Sequence, residues 1–365
     1  MSMRKNASIL ALSAVVLPLL ASSACSCGKR QTNGVFVMTN TSKNAVAAFH
    51  VNESEKLISS GRAEYTQGTG FGSSSNPLNS QGALAVSGDG NWLIAPNAGS
   101  NDISIFSTNN NRLTFVSKTS SQGQFPVSVA TNDNRVFVLN KKGMVPNIAG
   151  FFIEKNGELK AIDQEKAVRP LTSGSDYSQI GISPNGKWLI VSNESANMLI
   201  AYALNGDTIA KDFMTLGTSG SGPAAFAFDN HNNLLVAESN SSTVSSYSLS
   251  DNGITVITAS LSIGQQRPRW IVCNGKYAYT SAMNSGFFSA IAVGENGQLT
   301  LIKTYDAGST GVTELAINYD GTYLYTFNPK TNALSQFHIG TDGSLTLTDS
   351  INDYFGPYAQ GIVAN

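Results

Sequence analysis

Seven stretches of this chain can be laid over one another, and that internal repeat constrains the fold more than any other feature. The clearest copies begin at Gln81, Ser178 and Thr313, where QGALAVSGDGNWLIAPN, SQIGISPNGKWLIVSN and TELAINYDGTYLYTFN run in step. Each copy reads as a small-residue stretch, a tight turn, an apolar or aromatic stretch, a polar turn, and two alternating stretches around a Gly turn. That is four short strands. A period of about 47 residues with four strands per unit is the pattern of propeller blades, which stack because one blade cannot bury both of its faces. The expected fold is therefore all-β, a seven-bladed β-propeller of four-stranded blades.

The repeat also predicts how the ring closes. The first unit has its second, third and fourth strands (GVFVMTN, AVAAFHV, KLISSGRAEY) but lacks the small-residue inner strand that opens the others. The missing piece lies at the far end, where QGIVAN (360–365) resembles QGALAV (81–86). The C-terminal strand should join the N-terminal blade and leave no free edge at the seam. The other blades begin near Gln81, Val127, Ser178, Ala224, Arg269 and Thr313, and the propeller spans 34–365. The turns SGDG, SPNG, TNDN, NYDG and GTDG carry the Gly and Asn that tight hairpins need at positive φ. They lack the acidic ligand count of a calcium loop.

Residues 1–24 read as a signal peptide. Arg4 and Lys5 precede an apolar stretch from Ile9 to Leu20, too short to span a membrane, and the small residues Ala21 to Ala24 follow. Ser-Ala-Cys at this point predicts processing as a bacterial lipoprotein with Cys25 acylated, although cleavage after Ala24 by the ordinary route fits the same residues. Residues 25–33 would be a tether, and the expected location is the cell envelope, as a periplasmic or outer-membrane lipoprotein, or outside the cell. A lipid anchor would be the sole membrane contact. With three cysteines, two of them at the processing site, a disulfide framework is not expected.

Charged residues make up 13% of the chain, about half the usual ~25%. The net charge is −1 with no stripe of one sign, which removes the basic footprint that nucleic-acid binding requires. No cluster of metal-ligand spacing, no phosphate-binding glycine loop and no G-x-S-x-G elbow is present, so neither a metal nor another cofactor is expected. In a propeller the loops entering the inner strands surround one mouth of the channel. Those loops carry Phe125, Asp176, Tyr177, Arg267, Trp270, Tyr358 and Gln360. Rings beside a few convergent polar groups suit a small polar ligand, a glycan or a segment of an envelope protein. The same rings would serve as a plug for the channel, and a monomer is expected.

The phrases SPNGKWLIVSN, NGKYAYTS and TELAINYDGTYLYTFN resemble the lactonase family of seven-bladed propellers, which includes 6-phosphogluconolactonases and carboxymuconate cyclases. The resemblance covers 34–365. It implies an Arg-His pair after Gly-Pro on one inner strand, a Glu in an Asn-Glu phrase, a Glu in an Ala-Glu-Ile phrase and an Arg after Ser-Asn. Set on RPRWIV, the first pair becomes Arg269 and Trp270. Set on GPAAFAF, it becomes Ala224 and Ala225, with Glu238 close to the Asn-Glu position. Glu314 matches the Ala-Glu-Ile glutamate, and Pro329 stands where the later Arg belongs. In both registers the histidine is missing: His50 and His338 fall in third strands, remote from the axis, and His231 in a turn. The sequence thus favours a non-catalytic binding module acting through its mouth. Lactone hydrolysis with Glu314 as base beside Arg269 is the alternative, and a structural envelope component is a third reading.

Overall fold

The computed structural model describes residues 34–72, 78–109, 111–251, 253–282, 286–306, 314–352, 355–356 and 358–365. They form seven separate antiparallel sheets with one short helix, Gln164–Ala167, among them. The expected signal peptide, Cys25 and the expected tether lie outside the described residues. Every sheet but the first runs in chain order from an inner strand to an outer one, for example Tyr177–Ile182, Trp188–Asn193, Met198–Asn205 and Thr208–Gly217. Such up-and-down order needs only hairpin turns, which is why Gly and Asn recur at the strand ends.

The ring closes as the repeat predicts. Ile362–Ala364 is the inner strand of the first blade, pairing Val35 with Ala364, Phe36 with Val363 and Val37 with Ile362. Asn365 extends the seam, since its Oδ1 accepts from Gly34 N at 2.9 Å and its own N donates to Gly34 O at 3.0 Å.

Burial follows position in the blade. Second strands such as Trp188–Asn193 and Tyr277–Ala282 are buried along their whole length, because sheets cover both faces. Outer strands such as Arg112–Ser120 alternate between exposed and half-buried. Between neighbouring blades, turn glycines receive aromatic rings: a Cβ at Gly157 would lie 2.3 Å from Trp92, and one at Gly343 2.6 Å from Tyr277. Glutamine amides serve the free backbone groups facing the channel. Gln179 accepts from Phe226 N at 2.7 Å and donates to Phe226 O at 2.9 Å, so neither group is left unpaired in the interior.

One blade departs from the repeat. The stretch QGALAV was expected to be the whole inner strand of the second blade, yet only Ala85–Val86 pair as strand. The residues before them run across the channel instead. Gln81 accepts from Ile271 N at 2.9 Å and donates to Ile271 O at 2.8 Å, reaching the sixth blade from the second. Gly82 O accepts from Val129 N, Ser128 Oγ donates to Gln81 O, and Ala83 and Leu84 are buried. The channel is thus plugged by a diverted strand rather than by aromatic rings.

Candidate functional site

Antiparallel order puts the start of every inner strand and the end of every second strand on one face of the ring. Second strands end on a recurring asparagine: Asn97, Asn193 and Asn328, with Asn140 near the end of its strand. Asn193 shows its use, as Oδ1 accepts from Ser195 Oγ and Ala196 N, both at 3.1 Å, and so closes the turn. The residue after the asparagine is the one that reaches toward the mouth. In the third blade it is Lys141, in the fourth Glu194, in the fifth Ser239.

These three residues build a connected polar site. Arg269, at the start of the sixth inner strand, sets Nη1 3.0 Å from Glu194 Oε1 and Nη2 3.0 Å from Oε2, a two-pronged ion pair. Ser239 Oγ donates to Glu194 Oε1 at 2.9 Å, and Arg269 Nη2 also donates to Asn79 Oδ1. Asp176 joins from the other side: its O accepts from Glu194 N at 2.9 Å, and its carboxylate meets Lys141 Nζ at 2.5 Å. The arginine is 5% exposed and the glutamate side chain 10%, so neither charge is solvated by bulk water. A buried pair of this kind holds only because each partner satisfies the other, and removing one leaves an uncompensated charge. Of five guanidinium N–H groups, three are engaged. Of roughly four carboxylate lone pairs, Arg269 and Ser239 take three.

The structure distributes the expected site residues unevenly. Arg269 and Asp176 stand in this cluster. Glu314 was expected beside Arg269, but the partner of Arg269 is Glu194. Glu314 is 2% exposed, and Oε1 has no hydrogen-bond partner. Burial pushes its carboxyl up to about 8 against the lowering effect of the Gly361 N–H and the Gln360 amide, which keeps it protonated at neutral pH. Tyr177 and Trp270 were expected to line the mouth and instead belong to the hydrophobic core at 0% and 1% exposure. Their side chains lie between blades because alternation along an inner strand sends every second residue there. Gln360 is buried beneath the plug, accepting from Leu78 N at 2.7 Å and donating to Ser80 O at 3.1 Å. Phe125 is 7% exposed and packs edge-on against Phe71 with Lys142 Nζ 3.7 Å from its ring centre. Arg267 is exposed on the rim at φ +59, and Tyr358 is half-buried.

Glu194 was missed, although its signal is literal. The phrase Ser192-Asn193-Glu194 carries an Asn-Glu pair at a second-strand end. Glu238, which the sequence placed near that position, ends its own strand and takes the place of the asparagine. It is fully buried, accepting from Gly220 N, Tyr247 OH, Thr243 Oγ1 and Ser245 Oγ at 2.6–3.3 Å, which is a structural knot. With the Asn-Glu phrase set here, the adjacent inner strand offers Ser178 and Gln179 in place of Arg-His. No group of three or more potential metal ligands occurs among the described residues.

A ring of seven four-stranded blades with a buried arginine–glutamate pair at its mouth places the chain among propellers with a polar mouth site. The chain belongs to the lactonase family of seven-bladed β-propellers, whose family model matches residues 29–148, 144–255 and 238–360. Among solved structures it is similar to the periplasmic gluconolactonase of Pseudomonas aeruginosa, with 15% identity over 92% of this chain and 99% of that one and a TM-score of 0.70. It is also similar to a candidate 6-phosphogluconolactonase from Bacteroides uniformis, with 19% identity over 90% and 99% and a TM-score of 0.72. A protein from Lactobacillus plantarum gives 15% identity over 91% and 99% with a TM-score of 0.72. At such identities the likeness is one of fold. No curated protein matches the sequence.

Proposed function

We propose that the chain is a lactone hydrolase working at the channel mouth, with Arg269 and Glu194 as its reactive pair. The observation that carries this reading is the two-pronged Arg269–Glu194 contact, 3.0 Å on each prong, on an Asn-Glu phrase in a lactonase-family ring. A guanidinium in a site largely closed to water stabilises negative charge developing on a carbonyl oxygen far better than one in bulk solvent. The glutamate retains lone-pair capacity to orient a water molecule and take its proton as the oxygen attacks the carbonyl carbon. The ring C–O bond then breaks, and that proton passes to the departing alkoxide, giving a hydroxy acid. In this reading Glu314 takes no part as a base, since it already holds its proton at neutral pH.

Glucono-1,5-lactone hydrolysis by the mature chain tests the assignment. Glu194→Gln and Arg269→Ala should each lower kcat/KM at least ~100-fold. Turnover that survives both substitutions would remove the assignment. One observation favours a second reading, a non-catalytic module for a small polar ligand: Arg269 is engaged by Glu194 and Asn79 together. In that case the mature chain would bind a ligand at the mouth without turning over any lactone. We further propose that the protein is exported and lipid-anchored through Cys25, on the strength of the N-terminal sequence.

A further inference from the structure

The plug contributes one side chain to the proposed reactive pair, and it does so from a constrained position. Asn79 lies at φ +49, the left-handed region that asparagine enters more readily than other non-glycine residues. Its neighbours on both sides are pinned. Leu78 is 1% exposed and its N–H is accepted by Gln360, Ser80 O accepts from the same glutamine, and Gln81 is fixed to the backbone of Ile271. Between these anchors the carboxamide oxygen of Asn79 accepts from Nη2 of Arg269. A carboxamide C=O and a lactone C=O are alike in shape and in the acceptor they present to a guanidinium.

Resting on the proposed reactive pair, we infer that Asn79 is a built-in occupant of the site, a resident carbonyl that a ligand must displace from Arg269. The occupied state is the closed one, with Arg269 covered to 5% exposure. Opening needs no movement of the ring. Rotation of one side chain about its own bonds frees the Nη2 donor while Leu78 and Gln81 keep the plug in place. Removing the carboxamide should therefore expose the arginine and ease ligand entry.

Two variants of the mature chain test this. Asn79→Gly keeps the positive φ at no strain and deletes the carbonyl, whereas Asn79→Asp gives Arg269 a second anionic partner. Phenylglyoxal labelling of Arg269, mapped by peptide mass with Arg135 as internal standard, should speed up roughly tenfold in the glycine variant and slow in the aspartate variant. With glucono-1,5-lactone, the glycine variant should show a lower KM. Unchanged or slower labelling in the glycine variant, with thermal unfolding as in the parent, overturns the inference. A lower kcat at unchanged KM also overturns it, because Asn79 would then be a positioning residue for Arg269. Faster labelling without turnover in any of the proteins would uphold the shielding and remove the lactonase reading alone.

Discussion

At the scale of single residues, the molecule separates two glutamates that look equivalent in sequence. Glu194 is charge-paired at the mouth, and Glu314 is sealed at the ring seam with one oxygen unpartnered. The second carries a pH signature. In the unfolded chain its carboxyl ionises near the ordinary value of 4.5, in the folded protein only near about 8. Between those values the native state holds a proton that the unfolded chain releases, so stability falls as pH rises through the window and levels off above it. Glu314→Gln has no proton to lose. It should unfold like the parent at pH 4 and be more stable at pH 7 by about 3 kcal/mol, as urea titrations at the two pH values would show. A parallel pH dependence in the two proteins would contradict the burial argument. The residue scale is also where sequence reading reached least. Arg269 and its partner are 75 positions apart, and nothing local to either indicates the other.

At the scale of the element, the final strand does two jobs. Ile362–Ala364 supplies the inner strand of the first blade, and Gln360 just before it supports the plug through Leu78 and Ser80. Deleting residues 360–365 should therefore destabilise the whole ring by more than ~3 kcal/mol, read as an early, still cooperative unfolding transition. Fraying confined to the first blade would show that the seam is independent of the rest. This closure was legible because a missing inner strand and a surplus one announce themselves in a repeat. The diverted second-blade strand was not. QGALAV has the small, alternating residues of every other inner strand, and only the empty axis of a finished ring gives Gln81 a reason to leave its sheet. Tyr177 and Trp270 were misread on the same ground, since entry loops were legible while the facing of each side chain depends on a register of one residue.

At the scale of the whole molecule, the blades differ in what they bring to the mouth. Lys141, Asp176, Glu194, Ser239 and Arg269 come from the third to the sixth, so the ring is a uniform frame with a one-sided site. The proposed anchor can be tested on intact cells. Metabolic labelling with an alkyne fatty acid should mark the parent and not Cys25→Ser, and label on neither would mean ordinary cleavage. The seam has a last consequence. Gly34 and Asn365 exchange hydrogen bonds at 2.9 and 3.0 Å, both on the face away from the mouth. Within 34–365 the ring is accordingly a circle in all but one covalent link, with residues 1–33 attached at the gap. With residues 1–33 removed, a short peptide joining Gly34 to Asn365 and a break at the exposed hairpin around Gly206 would move both ends of the chain into the fourth blade while leaving every inner strand and the mouth in place.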